Sequence, residues 1–336
     1  MPSPLAEITY VLPIRRTAHV ADDDLPGYLA QLARQVAVVV VDGSPPSLFA
    51  EHAARWPRDV VHVPVDADRR GDANGKVAGV VTGLRRVRTP KAIVADDDVR
   101  WEPFGLRRAG ALLDRYAVVR PQNVFVPAPW HAVLDTGRIL IARATGGDWP
   151  GTLALRMDAY RRAGGYDGDV LFENLELVRT LRALGGREHV AYDLFVARRP
   201  PTAAKYLSQR VRQAYDELAR PRRLAVQLAL APALALGAYR FGARALAAFV
   251  LGAVAVAECG RRRGGGRRVF PALASALAPA WVFERAVTSW AALALRLARG
   301  GVRYSHGRLR LAANSERVLR ERHSAQAAPH LAQVKP

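Results

Sequence analysis

Lys91-Ala-Ile-Val-Ala-Asp-Asp-Asp-Val-Arg-Trp101 is the stretch whose reading sets the fold. Ile93, Val94 and Ala95 form a short apolar run after a turn signal at Thr89-Pro90, the pattern of a fully buried strand. Three carboxylates follow where such a strand leaves its sheet. Side chains two apart on extended backbone point the same way, so Asp96 and Asp98 share one side and Asp97 takes the other. Two like charges there repel unless a cation sits between them. Mg²⁺ and Mn²⁺ suit carboxylate oxygens and leave positions for phosphate. Ligands of open α/β sheets bind outside the carboxyl ends of the strands, where this cluster falls. A solvated acidic turn has the same local sequence, so the neighbouring segments must decide.

Upstream, residues 8–13 read as a first strand ending at Pro13. The valine-rich run 36–41 reads as a second, closed by Asp42-Gly43-Ser44, and residues 60–65 as a third. Helices are expected over 25–34, with Asp22, Asp23 or Asp24 as N-cap, and over 47–55. A third is expected over 74–88, where Val77, Val80, Val81 and Leu84 recur at helical spacing. Alternation of strand and helix predicts a doubly wound, mostly parallel sheet. Asp42 then becomes a second acidic strand end on the same edge. Gly71-Asp-Ala-Asn-Gly75-Lys76 is not a mononucleotide P-loop: its glycine spacing is one residue short and Val77 stands where Ser or Thr would bind magnesium. Lys76 at a helix start nevertheless suits a diphosphate.

The chain of 336 residues is 50% hydrophobic and carries a formal charge of +20, almost all of the excess as arginine. Such a charge implies a polyanion: nucleic acid, nucleotide phosphates or an anionic membrane face. No nucleic-acid module is recognisable and the basic clusters bracket apolar runs, so nucleic acid is not an expected partner. Cys259 is the single cysteine, which excludes an intrachain disulfide and a cysteine-cluster metal site. The first residues lack a basic segment before an apolar core, so the first domain is expected in the cytosol.

Downstream, residues 121–149 are rich in Pro, Trp and His with weak periodicity, and irregular sheet and loop are expected over the mouth of the site. Trp130, His131 and Trp149 are available there to stack on a sugar or lipid, or equally to be buried. A short strand over 153–156, a helix over 157–163 and a turn over 164–168 follow. The helix opened by residues 171–177 places Glu173 and Glu176 three apart, where both also favour a helix N-terminus electrostatically. After Arg220-Pro-Arg-Arg223 come apolar runs at 224–239, 245–257, 269–283 and 286–295. None reaches eighteen uninterrupted residues, and Arg240 and Arg244 divide the first two. An arginine at a span centre costs about 2.5–3.5 kcal/mol. Basic clusters at 220–223 and 261–268 fit a hairpin with both ends cytoplasmic; a soluble Ala-rich helical domain is the alternative. The expected organisation is a catalytic domain over 1–218, a membrane-associated helical region over 219–312 and a polar, disordered tail over 313–336.

Val11-Leu-Pro13, Val40-Val-Asp-Gly-Ser44, Asn74-Gly-Lys-Val-Ala-Gly79 and Asp96-Asp-Asp98 together resemble the successive motifs of family 2 glycosyltransferases, which have the GT-A fold. Val41 stands where that family usually has the first of two aspartates. The resemblance implies that Asp42 meets the nucleotide base, that Lys76 lies near the nucleotide-sugar site, and that Asp96 and Asp98 carry the metal–diphosphate function, with Pro13 in the same donor site. The family's Gly-Gly-aromatic turn is followed by a Glu-Asp pair whose aspartate is the base; here it is Glu173-Asn174. Asn174 takes no proton, so the role falls to Glu173, to Glu176, or to no residue. Gln209-Arg-Val-Arg-Gln213 resembles the Gln-x-x-Arg-Trp motif of membrane-embedded members such as cellulose synthase and ceramide glucosyltransferase, with Gln213 for the tryptophan. Gln209 and Arg212 would then contact the donor, Arg212 neutralising the departing diphosphate. Residues 301–308 resemble the basic segment after the last hydrophobic helix of membrane glycosyltransferases.

What this implies is an inverting, metal-dependent transfer of a sugar from a UDP- or GDP-linked donor to a lipid or glycan hydroxyl at the cytosolic membrane face. The rivals are a nucleotidyltransferase on a similar sheet and a retired transferase that binds nucleotide sugar as a membrane scaffold.

Overall fold

The computed structural model describes residues 4–20, 23–304 and 307–332. Asp22 as a cap, Ser305 and His306 of the basic segment, the first three residues and the last four lie outside the described residues. The first half alternates as the valine runs and turn signals require. It runs β1 (Ile8–Ile14), α1 (Leu25–Ala33), β2 (Ala37–Asp42), α2 (Pro46–Arg55), β3 (Val60–Pro64), α3 (Gly75–Leu84) and β4 (Lys91–Ala95). Then come β5 (Val99–Arg100), α4 (Pro103–Leu113), β6 (Val118–Phe125), α5 (Trp130–Ala144), β7 (Thr152–Arg156), α6 (Met157–Ala163), α7 (Glu173–Ala183) and β8 (Glu188–Arg198). One sheet takes these strands in the order β3-β2-β1-β4-β7-β6-β8-β5. The pairs β1–β2, β1–β4, β2–β3 and β6–β8 are parallel; β7 runs antiparallel to both neighbours and β5 antiparallel to β8. The sheet is therefore mixed beyond β4.

Register places the site. Ile14 pairs with Asp42 and Val11 with Val94, so β1, β2 and β4 open on one edge and bring Pro13, Asp42 and Asp96 together. Helix α3 lies close on β1: a Cβ on Gly79 would stand 2.8 Å from that of Pro13, and one on Gly83 would collide with Val11. Its Asn74 cap accepts from Lys76 N at 3.1 Å and donates to Val170 O at 2.8 Å, which fixes the lysine against the loop before α7. At α1 the capping oxygen is that of Asp23, accepting from Leu25 N, while Asp24 pairs with Arg100 and Arg199.

Three expectations are corrected. Residues 121–149 are not irregular: β6 and the fifteen-residue α5 occupy them. The apolar face of α5 is completed by buried Asp135 and Arg143, which hid its period. Arg143 is wholly buried and donates to the carbonyls of Gly260, Tyr192 and Arg263, where its charge replaces an apolar anchor. The apolar runs 269–283 and 286–295 form one 28-residue helix. After α8 (Ala203–Ser208) and α9 (Arg210–Tyr215), the third section comprises α10 (Pro221–Phe241), α11 (Ala243–Arg262), α12 (Ala272–Arg299) and the hairpin β9 (Val302–Tyr304)–β10 (Gly307–Leu309). Finally, where a disordered tail is expected, the described residues form helix α13 (Glu316–Ala332), with Leu319 buried and Arg322 on Asp167 at 2.9 Å.

Helices α11 and α12 share a core cluster with α5, in which Ala257, Phe270, Ala274 and Ala278 meet Ile139 and Leu140. By contrast, α10 and the first half of α11 are apolar and open. Thirteen of the twenty-one exposed large hydrophobic side chains among the described residues lie in α10–α12. The α10–α11 turn falls at Gly242 (φ +58), so Arg240 and Arg244 sit beside the turn and not at the centre of a span.

Candidate functional site

The carboxyl edge of the sheet opens into a cleft of about 1330 Å³, walled by β1, β2 and α3 on one side and by α5, α9, α10 and α12 on the other. All of Pro13, Asp42, Lys76, Asp96, Asp98, Glu173, Gln209 and Arg212 line it. Asp96 Oδ1 lies 2.5 Å from Lys76 Nζ, and Lys76 also reaches Glu173 Oε1 at 2.6 Å. One ammonium thus bridges a strand end and the first turn of α7, and those two carboxylates outweigh burial and raise the lysine pKa. Asp98 Oδ2 accepts from Arg198 Nε at 2.9 Å, and Arg198 also faces Asp96 Oδ2 at 3.5 Å. Asp96 and Asp98 thus both face Arg198, but from a turn closed by Val99 N on Asp96 O at 3.1 Å and not from extended backbone, and Asp97, expected on the other side, lines the same cleft. Burial, with Asp98 and Asp96 adding to it, pushes the Asp97 pKa up.

Asp98 Oδ1 is buried and accepts no hydrogen bond among the described residues. It is an orphan acceptor of the kind a cation satisfies. No three His, Cys, Asp or Glu side chains converge as a metal cluster among those residues. The donor set thus fits an ion that takes two carboxylates and completes its shell from phosphate and water oxygens, the habit of Mg²⁺ and a match for the oxygen preference of Mn²⁺.

The two glutamates part company. Glu173 faces the cleft, whereas Glu176 is fully buried and absent from its lining. Glu176 accepts from Asn314 N at 2.7 Å and from Asn314 Nδ2 at 2.8 Å, tying α7 to the segment before α13. Burial raises its pKa. The placement corrects its candidacy as base, because its oxygens point into the seal with the tail. Asn174 donates to Pro150 O at 3.0 Å.

Asp42 lines the cleft floor with both oxygens engaged. Oδ1 accepts from Ser44 N at 2.9 Å, while Oδ2 meets His52 Nδ1 at 2.6 Å and His62 Nε2 at 3.1 Å. Burial works against its charge, but His62, Ser44 and His52 outweigh it and hold the pKa well below the carboxylate range. Arg212 lies over the Tyr304 ring at 5.4 Å. Gln213, in place of the motif's tryptophan, accepts from Arg210 Nη1 at 3.0 Å. Of the aromatics, Trp149 and His131 line the cleft, Trp149 beneath Arg120, 4.0 Å from its ring centre, and His131 with Nε2 on Pro201 O, whereas Trp130 is exposed.

Sequence reasoning missed Arg198, Tyr304 and Asp216. Arg198 stands at the end of β8, one hundred residues from its aspartate, and no motif marks it. Tyr304 lies within the basic segment noted at 301–308, yet nothing in that segment says that it returns to the cleft. Asp216 also lines the cleft, and burial pushes its pKa up from 3.8 to about 7, with Arg212 opposing and Glu173 adding.

Sheet order, strand-end carboxylates and cleft define a GT-A fold. No protein-family model matches the chain, and no curated protein matches it in sequence. Solved structures share its architecture. The mannosyltransferase PcManGT from Pyrobaculum calidifontis, solved in complex with GDP-Man and Mn²⁺, aligns with a TM-score of 0.52 and 20% identity over 86% of this chain and 89% of that one. Mannosyl-3-phosphoglycerate synthase from Rubrobacter xylanophilus aligns at 0.41 and 17% identity, over 61% of this chain and 70% of that one. For S. aureus TarS the values are 0.39 and 14%, over 60% and 38%.

Proposed function

We propose that this chain is an inverting, metal-dependent glycosyltransferase of the family 2 type. On this reading it moves a sugar from a UDP- or GDP-linked donor to an acceptor hydroxyl at a membrane surface. The observation that carries the reading is the joint placement of Asp96, Asp98, Lys76, Arg198 and Glu173 in one cleft at the carboxyl edge of a GT-A sheet. The shared fold with a mannosyltransferase solved with GDP-Man and Mn²⁺ supports it.

In this mechanism Asp96 and Asp98 hold a divalent ion, which when bound supplies positive charge against the donor's diphosphate. Lys76, Arg198 and Arg212 add fixed cations, so negative charge growing on the departing diphosphate meets donors already in place. Glu173 removes the proton of the attacking hydroxyl, the remaining acid of the Glu-Asn pair that faces the cleft. The nucleotide base lies toward Pro13 and Asp42, where the saturated oxygens of Asp42 make it a former of the pocket wall more than a free acceptor.

The membrane component rests on α10 and α11. Two helices, 221–241 and 243–268, are long and apolar enough to cross a bilayer by length and composition. Tyr239, Phe241 and Leu246 are exposed around their turn, and arginines 220, 222 and 223 with 261–263 stand at the opposite end, the one this reading assigns to the cytosol. An amphipathic tip above a basic base suits an anionic bilayer surface.

Detergent-solubilised protein incubated with a panel of nucleotide sugars and Mn²⁺ tests the activity. Donor binding or hydrolysis that disappears with Asp98→Ala and with chelator is expected. Absence of both in the wild type, or an Asp98→Ala variant that behaves as wild type, rejects the reading; pyrophosphate release from a nucleoside triphosphate would select the nucleotidyltransferase instead.

A further inference from the structure

We propose that the far wall of the cleft holds a second anion site, built by Arg285 and Trp281 of α12 with Arg220 and Arg223 at the head of α10, that docks a phosphoryl group of the acceptor. The word acceptor rests on the transferase reading above; the anion site rests on geometry alone. Arg285 is 2% exposed yet lines the cleft. Its Nε and Nη1 have no hydrogen-bond partner among the described residues, and neither has Nε1 of Trp281, which is 4% exposed and lines the same wall. The guanidinium lies 5.3 Å from the Trp281 ring centre, so the two sets of donors are neighbours. Arg220 Nε is a further buried donor without a partner.

The nearby carboxylates are already committed. Asp135 holds Arg138 at 3.2 Å and Arg210 at 3.1 Å, and Asp148 holds Arg138 at 2.6 Å. Glu284 holds Arg210 at 2.5 Å, and Glu217 holds Arg220 at 2.9 Å and Arg223 at 3.3 Å. These four acids serve four arginines and none is hydrogen-bonded to Arg285; the remaining acid, Asp216, lies by Arg212 and Arg220 and burial pushes it toward its neutral form. Glu217 Oε2 lacks a donor, but Arg285 makes no hydrogen bond to it. Glu284 and Glu217 lend Arg285 opposing charge without hydrogen-bonding to it, so its buried N–H groups still lack an acceptor, and arginine does not escape by losing its proton. A planar fork of N–H groups with an indole N–H beside it matches the oxygens of a phosphoryl group.

This wall is distinct from the donor side. Asp96, Lys76 and Arg198 stand at the ends of β4, α3 and β8, whereas the second site stands at the head of α10 and on α12. Those are the helices whose remaining surface is apolar and exposed, with Val226, Leu236, Phe283 and Val287 open. A phosphate held at the root of apolar helices places a lipid chain on them, and the headgroup hydroxyl is the group left to point toward Glu173. No covalent step occurs at the site itself.

The test uses the full chain in detergent, with glycerol 3-phosphate as soluble probe and phosphatidylcholine vesicles with or without phosphatidylglycerol as the lipid probe. Calorimetric titration should show glycerol 3-phosphate binding that R285Q weakens roughly tenfold, and R285K and W281F each by about threefold, since lysine keeps the charge but loses the planar fork. GDP with Mn²⁺ should bind all variants alike. Equal glycerol 3-phosphate binding by R285Q and wild type overturns the site. So does a loss of thermal stability in R285Q with phosphate affinity intact, which would make Arg285 a counter-charge to Glu217. If R285Q does not fold, W281F and R285K carry the same comparison. An Arg285-dependent preference for phosphatidylglycerol vesicles assigns the phosphoryl group to a lipid. Dependence seen only with glycerol 3-phosphate keeps the site and assigns a soluble phosphate ester. Wild type that binds phosphate but no GDP retains the site and rejects the transferase reading.

Discussion

The side-chain amide of Asn174 donates to the backbone carbonyl of Pro150 at 3.0 Å. The next residue, Gly151, accepts from Asp96 N at 2.8 Å, and a Cβ on it would collide with the Asp96 carboxylate. Asn174 therefore braces the loop that seats the first aspartate of the acidic strand end. The position needs a side-chain donor, and an ionised carboxylate facing a carbonyl would be repelled. The departure from the Glu-Asp pattern has a structural cause here. Asn174→Asp should cost about 1–3 kcal/mol, the penalty of a buried polar mismatch. Thermal denaturation would show it as a lower Tm, and a transfer assay should register no gain from the restored acid.

The bridge from Lys76 to Asp96 and Glu173 separates two roles. Glu173→Gln keeps the shape and removes the proton acceptor, so kcat should fall about 10²- to 10⁴-fold with donor KM nearly unchanged. Lys76→Met leaves Asp96 and Glu173 without their shared cation and should weaken nucleotide-diphosphate binding roughly tenfold. Steady-state kinetics and equilibrium binding of GDP or UDP distinguish the two.

Glu176 predicts the opposite pattern. Glu176→Ala strands Asn314 N, leaves Nδ2 only Asp167 Oδ2 as acceptor, and should destabilise the protein by about 1–3 kcal/mol with kcat within a few-fold of wild type. A large loss of kcat at unchanged Tm would return Glu176 to the catalytic machinery. Hydrogen exchange in α13 should quicken in the variant, since Asn314 anchors the approach to that helix.

Asp216 sets a pH dependence. Its pKa rises from 3.8 to about 7 in the fold. Between those values the native protein keeps a proton that the unfolded chain has released, so stability falls as pH rises through this window. Asp216→Asn should flatten that slope and raise stability above pH 7 by on the order of 1 kcal/mol after allowance for solvent screening. Denaturant melts at pH 5 and pH 8 provide the comparison.

At the helical hairpin, Tyr239→Asp combined with Phe241→Asp should reduce sedimentation with phosphatidylglycerol-containing vesicles severalfold while leaving Tm unchanged. Both side chains are exposed, so no core is disturbed. Binding that persists in the double variant would place the membrane contact elsewhere.

Much of the fold was legible because burial on both faces demands runs such as Val38–Val41, and glycine and proline punctuate between them. The α5 segment was illegible for the converse reason: Asp135 and Arg143 are inside, and only their partners on other elements make that affordable. The same holds for α13, whose polar sequence gives no sign that Leu319 and Arg322 find partners on the body of the domain. In the cleft, Asp96, Asp98 and Lys76 stand at strand and helix ends that local pattern marks, and Glu173 in the place of the resembled Glu-Asp pair. Arg198 and Tyr304 carry no such mark.

By itself the sequence determined the alternation of strand and helix, the acidic strand end and the apolar third section, because these follow from periodicity and from charge within a few residues. Only the tertiary structure decided which glutamate meets the cleft, why an asparagine stands beside it, and that Arg285 is buried with two N–H groups lacking an acceptor. Those depend on which distant groups a side chain meets once the chain has closed, and neither spacing nor propensity encodes such meetings locally.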